Sequence, residues 1–384
     1  MDSKCGYSAS QIQVLDGIEA IRRRPGMYIG DVRSAAGLHH LLWELVANSM
    51  DEHLANRASK IRVSVEGDLA EVEDNGRGLP VEPAPGLGVS MLERLFTTLH
   101  AGATQDGHAP HVHVSPLGIG VGLPIVNALS EELEVEVWQR GYAWIQRYAR
   151  GRAVTPLERG ARTERTGTRI RFRPDRTIFT HPHFDRCAIH ERLKELAIWN
   201  PQLTFELMSQ VIHEPLGTVR WLDRLAHDRR VARDRESFVL RTVQDGALVE
   251  VAAAWCSNSA VADVRSFVGQ KQTTGGGSHE AGFWEGILAA LATRNPSLFR
   301  RPPRGKRWQR ALVPGLLAVV HVQLHDPVFA GPTRERLDSE PAREAVRRAL
   351  AEAFGKHLEQ APELEAMLVE RIALASPRVR PPAT

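Results

Sequence analysis

The stretch ELVANSMDE, residues 44–52, reads as about two and a half turns of helix. In and just before it, Leu38, Leu41, Leu42, Leu45, Val46 and Ser49 recur at helical spacing and mark one face. At about 100° per residue, Glu44, Asn48 and Asp51 fall within about 60° of one another, away from that face. A carboxylate and a carboxamide one turn apart make a compact pair of oxygen groups. Magnesium favours such oxygens while keeping waters and substrate phosphates in its shell. A solvated polar face has the same pattern, so the helix alone leaves both readings open.

Downstream, Ile61, Val63 and Val65 alternate, residues 66–68 turn the chain, and Ala70 and Val72 resume the alternation, predicting a hairpin. Its second strand runs into EDNGRG (73–78), followed by Leu79 and Pro80. Asp74 has the parity of Ala70 and Val72, which points it at the buried side. A buried carboxylate needs a donor. The amino group of adenine would serve, because an ionised Asp only accepts. Gly76 and Gly78 let the backbone turn and approach a flat ligand closely; a simple loop has the same residues.

Further on, GIGVG (118–122) precedes a third helical stretch, LPIVNALS (123–130). Glycines at a helix start expose backbone N–H groups with the positive end of the helix dipole behind them, which suits a di- or triphosphate. No G-K-[ST] follows, so this is not a P-loop, and its spacing departs from the dinucleotide fingerprint. TGT (166–168) opens the strand RIRF and offers a hydroxyl to a base or a bound water; a tight turn reads the same way.

The chain as a whole has 384 residues, too many for one ordinary core, which predicts two domains. Hydrophobic content of 42% and charged content of 25% are those of a soluble globular protein. There is no run of eighteen apolar residues and no apolar signal core at the start, so the expectation is a cytoplasmic protein without a membrane span. Cys5, Cys187 and Cys256 form neither a disulfide framework nor a zinc spacing. Up to Pro215 there are 24 Lys+Arg and 27 Asp+Glu, a balance of −3; beyond it 25 and 19 give +6. The stretch RRPPRGKRWQR (300–310) carries Arg300, Arg301, Arg304, Lys306, Arg307 and Arg310. It reads either as a nucleic-acid patch or as a solvated loop.

Helical and strand signals mix without strict alternation, so the first half is expected to be α+β, helices on one face of a mostly antiparallel sheet. A further helix is placed around Ser90–Leu95, a Gly-, His- and Pro-rich loop at 101–117, and strands over Leu133–Tyr148 and Gly167–Phe172. A boundary is expected near Glu214–Gly217, dividing the chain into 1–216 and a second α/β unit at 217–384. That unit has strands over Ser237–Val243, Ala247–Trp255 and Leu316–Leu324 and helices over Gly282–Thr293 and Pro341–His357.

In this order, the Glu/Asn helix, D-x-G-x-G, the Gly-rich loop and T-G-T resemble the GHKL ATPases: gyrase B, MutL, histidine kinases and the ninety-kilodalton chaperones. RRRPGMYIGD (22–31), GLHHLLWELVANSMDE (37–52), LHAGA (99–103), VNALS (126–130) and GTRIRFRP (167–174) narrow the likeness to the B subunits of DNA gyrase and topoisomerase IV. GGGSHEAGF (275–283), LLAVVHVQLHDPVF (316–329) and TRERLDSE (333–340) extend it through the second half. The resemblance implies a GHKL (Bergerat) sandwich with an N-terminal dimerisation arm, then a ribosomal-S5-like transducer domain. It makes Glu44 the general base that activates water and Asn48 the ligand of a Mg2+ bridging the phosphates of ATP. Asp74 would bind the adenine amino group, with Thr168 supporting it through water, and Arg77, Gly78, Leu79 and Pro80 would wall the adenine. Gly118, Ile119, Gly120, Val121 and Gly122 would hold the phosphates under a lid at 101–117. Tyr7 would cross to the partner of an ATP-dependent homodimer, Arg334 would reach the γ-phosphate, and the basic stretch would line a cavity for duplex DNA.

The sequence departs from the family pattern at Ala47, usually Asp; at Thr104, usually a lid lysine; at Pro116, Leu117 and Ile119, usually two glycines and a His; and at Pro332-Thr333-Arg334, usually Q-T-K. Each change loosens transition-state electrostatics, worth on the order of 10²–10³ in rate per lost contact. ATP binding with weak hydrolysis is therefore expected. No E-G-D-S-A segment of a TOPRIM domain is present, so the expectation is a fragment or short paralogue that does not cleave DNA alone. It would be the ATP-operated gate of a type II topoisomerase working with a separate DNA-cleaving chain. The alternatives are an ATP-dependent dimerising regulator or weakly active paralogue without strand passage, and a scaffold that no longer turns over ATP.

Overall fold

The computed structural model describes residues 16–99, 122–180, 182–231, 237–257, 262–297, 299, 307–331 and 333–375. Two compact units result. Among the described residues, the first holds those up to 194 together with 202–213, and the second holds 195–201 and those from 214 onward.

The first unit runs α1 (Gly17–Arg23), α2 (Gly26–Ile29), α3 (Ala35–Leu54), β1 (Lys60–Glu66), β2 (Leu69–Asp74), α4 (Met91–Thr97) and α5 (Leu123–Ala128). It continues with β3 (Ser130–Gln139), β4 (Tyr142–Ala149), β5 (Arg152–Ala153), β6 (Glu158–Arg162), β7 (Gly167–Pro174), α6 (Arg186–Trp199), β8 (Thr204–Leu207) and β9 (Gln210–Ile212). Among the described residues the strands form one sheet in the order β5-β4-β3-β7-β2-β1-β8-β9, with β6 also on β4. All pairings are antiparallel except β1 with β8. The α+β expectation holds, and α3 spans the quoted stretch. The third helix is shorter than its sequence suggests: α5 ends at Ala128 and Ser130 already opens β3. There the Ser130 hydroxyl turns back to donate to the Val126 carbonyl at 2.6 Å.

Alternation in this sheet is strict because one face is covered and the other is wet. Val63, Val65, Ala70, Val72, Leu133, Val135, Val137, Ile170 and Phe172 are buried. The opposite parity carries columns of alternating charge. Arg147 on β4 faces Glu134 on β3, Glu134 faces Arg171 on β7, Arg171 faces Glu71 on β2, and Glu73 faces Arg62 on β1. The Arg147–Glu134, Arg171–Glu71 and Arg62–Glu73 pairs close at 2.7–2.8 Å. Opposite charges directly across antiparallel strands are the favourable arrangement for an exposed face.

The second unit contains α7 (Thr218–Arg229), β10 (Phe238–Gln244), β11 (Ala247–Trp255), β12 (Asp263–Val268), β13 (Lys271–Gln272), α8 (Ser278–Arg294), α9 (Arg307–Leu312), β14 (Leu316–Gln323), α10 (Glu340–Gln360) and α11 (Pro362–Ala375). Its sheet order is β10-β11-β14-β12-β13. Both faces are covered. Val249, Val251, Ala253, Ala318 and Val320 join one core with Phe283, Ile287, Val346 and Leu350. Ala252, Ala254, Leu317 and Val319 join another with Trp199, Trp221, Leu222 and Leu225. Residues 195–201 belong here because the Trp199 ring lies 5.5 Å from Trp221, 4.8 Å from Phe267 and 4.3 Å from His321, centroid to centroid. Among the described residues, no helix is long and apolar enough to cross a membrane.

Candidate functional site

Glu44 is 3% exposed, so the solvated-face reading of its helix fails. Its Oε2 accepts the Gly122 N–H at 2.8 Å, which ties α3 to the residue that caps α5. His40, one turn earlier, is also buried; burial holds its imidazole below the ordinary value, with the Glu44 charge pulling the other way. Asn48 is half-buried, and its side chain makes no hydrogen bond among the described residues. Its carboxamide oxygen is therefore available as a hard oxygen ligand. Ala47 is 1% exposed, a position where an aspartate would need a buried partner.

Asp74 closes β2 on the covered side, 4% exposed. Its Oδ1 accepts the Gly76 N–H at 2.8 Å and its Oδ2 accepts the Ser49 hydroxyl at 2.9 Å. Burial pushes its carboxyl up to about 6, against the Gly76 amide and the Ser49 hydroxyl, with Glu52 pushing up and the Thr168 amide pulling down. All three donors are neutral, and among the described residues no cation lies beside the carboxylate. Sequence reasoning misses Ser49 as a site residue because it stands in helical register with leucines. A lone hydroxyl in that register is the available signal.

The residues after Asp74 are fastened from three sides. Glu52 accepts the Arg77 amide at 3.1 Å and pairs with its guanidinium at 3.1 Å. Leu79 donates its N–H to the Thr168 hydroxyl oxygen at 3.0 Å, and the Gln139 carboxamide donates to the Leu79 carbonyl. Thr168 thus spends an acceptor on Leu79 and keeps its hydroxyl hydrogen to donate. Gly167, at φ 124°, is irreplaceable: a Cβ there would lie 2.0 Å from the Asp74 carbonyl oxygen. Gly78, at φ 87°, would place a Cβ 2.8 Å from Val137. Gln139 is a contributor that no sequence pattern marks; the roles of Glu52 and Gly167, although they stand inside the ELVANSMDE and TGT stretches, appear only when α3, β3 and β7 converge on this loop.

The first unit therefore gathers Glu44, Asn48, Asp74, Arg77, Gly78, Leu79, Pro80, Thr168 and Gly122. Tyr7, Gly118, Ile119, Gly120, Val121 and the 101–117 stretch lie outside the described residues, as do Arg300, Arg301, Arg304 and Lys306. In the second unit, Arg334 has φ 55° and its guanidinium lies 5.8 Å from the Phe329 ring centroid. Arg307 and Arg310 are exposed on α9, whose Trp308 and Leu312 enter the core. Among the described residues, no cluster of three or more His, Cys, Asp or Glu could hold a metal. Oxygen chemistry at Asn48, completed by phosphates and water, fits magnesium without one.

Comparison with known proteins gives the same answer as this geometry. The family model for histidine kinase-, DNA gyrase B- and HSP90-like ATPases matches residues 34–178, and that for DNA gyrase B matches 217–379. The gyrase B protein of Thermotoga maritima is 37% identical over 382 residues, covering 95% of this chain; the chain spans 59% of that protein's length. The 43K ATPase domain of Thermus thermophilus gyrase B, solved with an aminocoumarin, is 30% identical with a TM-score of 0.76, covering 95% of this chain and 96% of that one. The ATP-binding domain of Francisella tularensis topoisomerase IV, solved with a small-molecule inhibitor, has a TM-score of 0.77 at 27% identity, covering 95% and 98%. The chain belongs to the gyrase B and topoisomerase IV B family of GHKL ATPases.

Proposed function

We propose that this chain binds and hydrolyses ATP and, through a nucleotide-driven homodimer, gates duplex DNA for a type II topoisomerase with a separate DNA-cleaving chain. The observation that carries the proposal is the buried Asp74 carboxylate. It is held by neutral donors, with no cation against it among the described residues, at the mouth of a loop braced by Glu52, Gln139 and Thr168. Such a group suits an adenine amino donor, and Arg77 to Pro80 supply the wall beside it. Glu44 is the general base: the Gly122 amide fixes its carboxylate on α3, and the carboxylate takes a proton from water. Asn48 holds Mg2+, which neutralises phosphate charge when bound. Gly118, Ile119, Gly120, Val121 and Gly122 contribute backbone amides to the phosphates. Arg334 contacts the γ-phosphate and Tyr7 reaches the partner subunit. The cations Arg300, Arg301, Arg304, Lys306, Arg307 and Arg310 face the transported DNA.

A weakly hydrolysing regulator without strand passage is favoured by one observation, the apolar, closely packed Ala47 where the family usually places an acid. Glu44→Ala tests the main reading. It should abolish ATP hydrolysis and preserve nucleotide-driven dimerisation in sedimentation; unchanged hydrolysis refutes the base assignment. Loss of DNA-stimulated hydrolysis on neutralising the six basic residues supports the gate, and absence of any salt-dependent DNA binding supports the regulator.

A further inference from the structure

The RRRPGMYIGD segment (22–31) has no part in the chemistry above, yet its first residue is placed to control it. Arg22 lies in the last turn of α1, a helix capped by Asp16, whose Oδ1 accepts the Glu19 N–H at 2.7 Å. One Arg22 nitrogen donates to the carbonyl of Ala128, the last residue of α5, at 2.7 Å. Another donates to Asp175 Oδ2 at 2.7 Å. Asp175 is fully buried, immediately follows β7 and also accepts from Arg150 at 2.8 Å and from the Thr177 amide and hydroxyl at 2.9 and 2.8 Å. Its own N–H donates to the Leu129 carbonyl at 2.9 Å. These groups hold the C-terminal end of α5. At its other end, one short helix away, the Gly122 amide holds Glu44. Asn127, fully buried in α5, adds bonds to the Phe96 carbonyl and the Gly151 amide but leaves the α1 side to Arg22.

We propose that Arg22 is a positioning residue for ATP hydrolysis: by clamping the end of α5 to Asp175, it keeps the Gly122 amide on Glu44. The proposal rests on Glu44 being the base. Among the described residues, the hydrogen bonds of Arg22 go to Ala128 and Asp175, not to the residues assigned to adenine. Its loss therefore lowers the rate of the chemical step and leaves nucleotide affinity in place. A two-acceptor grip of this kind needs the guanidinium fork; a lysine ammonium reaches the same region as a single point charge.

The test is steady-state ATP hydrolysis by the full chain, with melting curves to confirm folding. Arg22→Ala should lower kcat by about tenfold or more, as small misplacements of catalytic groups do, with KM within about twofold of the parent. Arg22→Lys should fall between the two. If Arg22→Ala does not fold, Arg22→Lys carries the test alone: a lowered kcat at unchanged KM supports the proposal, and a parental kcat overturns it. A folded Arg22→Ala with parental kcat overturns it, as does a raised KM at parental kcat. Glu44→Ala is run beside it. Hydrolysis surviving in that variant sinks the base assignment itself, whereas an inactive Glu44→Ala with a fully active Arg22→Ala sinks only the role of Arg22.

Discussion

Asp74 in the first unit and Glu250 in the second are buried carboxylates on covered sheet faces, and they are held in opposite ways. Glu250 is fully buried on β11, directly opposite His321 on β14. Its Oε2 lies 2.7 Å from His321 Nδ1, and its Oε1 takes Arg241 at 3.0 Å and the Thr218 hydroxyl at 3.3 Å. His321 Nε2 faces the Gly269 carbonyl at 3.0 Å. Burial pushes the Glu250 carboxyl up, but His321 and Arg241 outweigh it and hold it below the usual range. Asp74 has only neutral donors and is pushed up to about 6. One charge is neutralised inside the fold. The other has only neutral donors among the described residues, and that contrast supports the proposal that Asp74 serves as a binding contact while Glu250 serves the fold.

The comparison predicts opposite dependences on pH. Asp74 has a folded value above its ordinary 3.8. The stability it lends by holding a proton is fully present below about 3.8 and is lost as pH rises through about 6. ATP affinity should change the other way, growing over that same window as the carboxylate becomes an acceptor for the adenine amino group. Glu250 has a lowered folded value, so its contribution is present above about 4.5 and is lost as pH falls through the folded value. Melting temperature against pH for variants at each position separates the two slopes.

The largest effect should follow from breaking the neutralised pair. Glu250→Ala strands His321 and Arg241 without their anion and should cost about 3–5 kcal/mol, read as a lowered thermal transition. A loss below about 1 kcal/mol would show that the pair is incidental. Ser49→Ala removes one neutral donor from Asp74 and should cost about 1.5–3 kcal/mol, the worth of a hydrogen bond to a charged group. It should also weaken ATP binding at neutral pH, measurable by calorimetry. The smallest effect is expected on the wet face of the first sheet. Arg171→Ala breaks a half-exposed pair and should change stability by no more than about 1 kcal/mol, less in high salt.

The same contrast explains what the sequence makes legible. Strict alternation on a one-sided sheet exposes Asp74, because Ala70 and Val72 fix its parity. The site's motifs are legible because they are contiguous in sequence. Ser49 is hidden by its apolar neighbours and Gln139 by lying on a strand far from the motifs, while the bracing roles of Glu52 and Gly167 depend on contacts between segments far apart in the chain. In the second unit, β11 and β14 are buried on both faces, so periodicity carries no sidedness and Glu250 and His321 stand out in no pattern. The placement of residues 195–201 with the second unit is equally unreadable, since it follows from where the Trp199 ring packs rather than from any break in composition. Arg22 is part of a motif that is easy to see, but its two acceptors lie 106 and 153 residues away.

Asp74→Asn tests the account most directly, through ATP affinity and melting temperature measured on the same sample at pH 7. The asparagine oxygen can keep the Gly76 amide, while its amide nitrogen then meets the adenine amino group donor to donor. The account predicts an ATP affinity lower by about ten- to a hundredfold and a melting temperature unchanged or raised, because a buried charge without a cation has been removed. Retained affinity, or a fold that melts earlier with affinity intact, would contradict it.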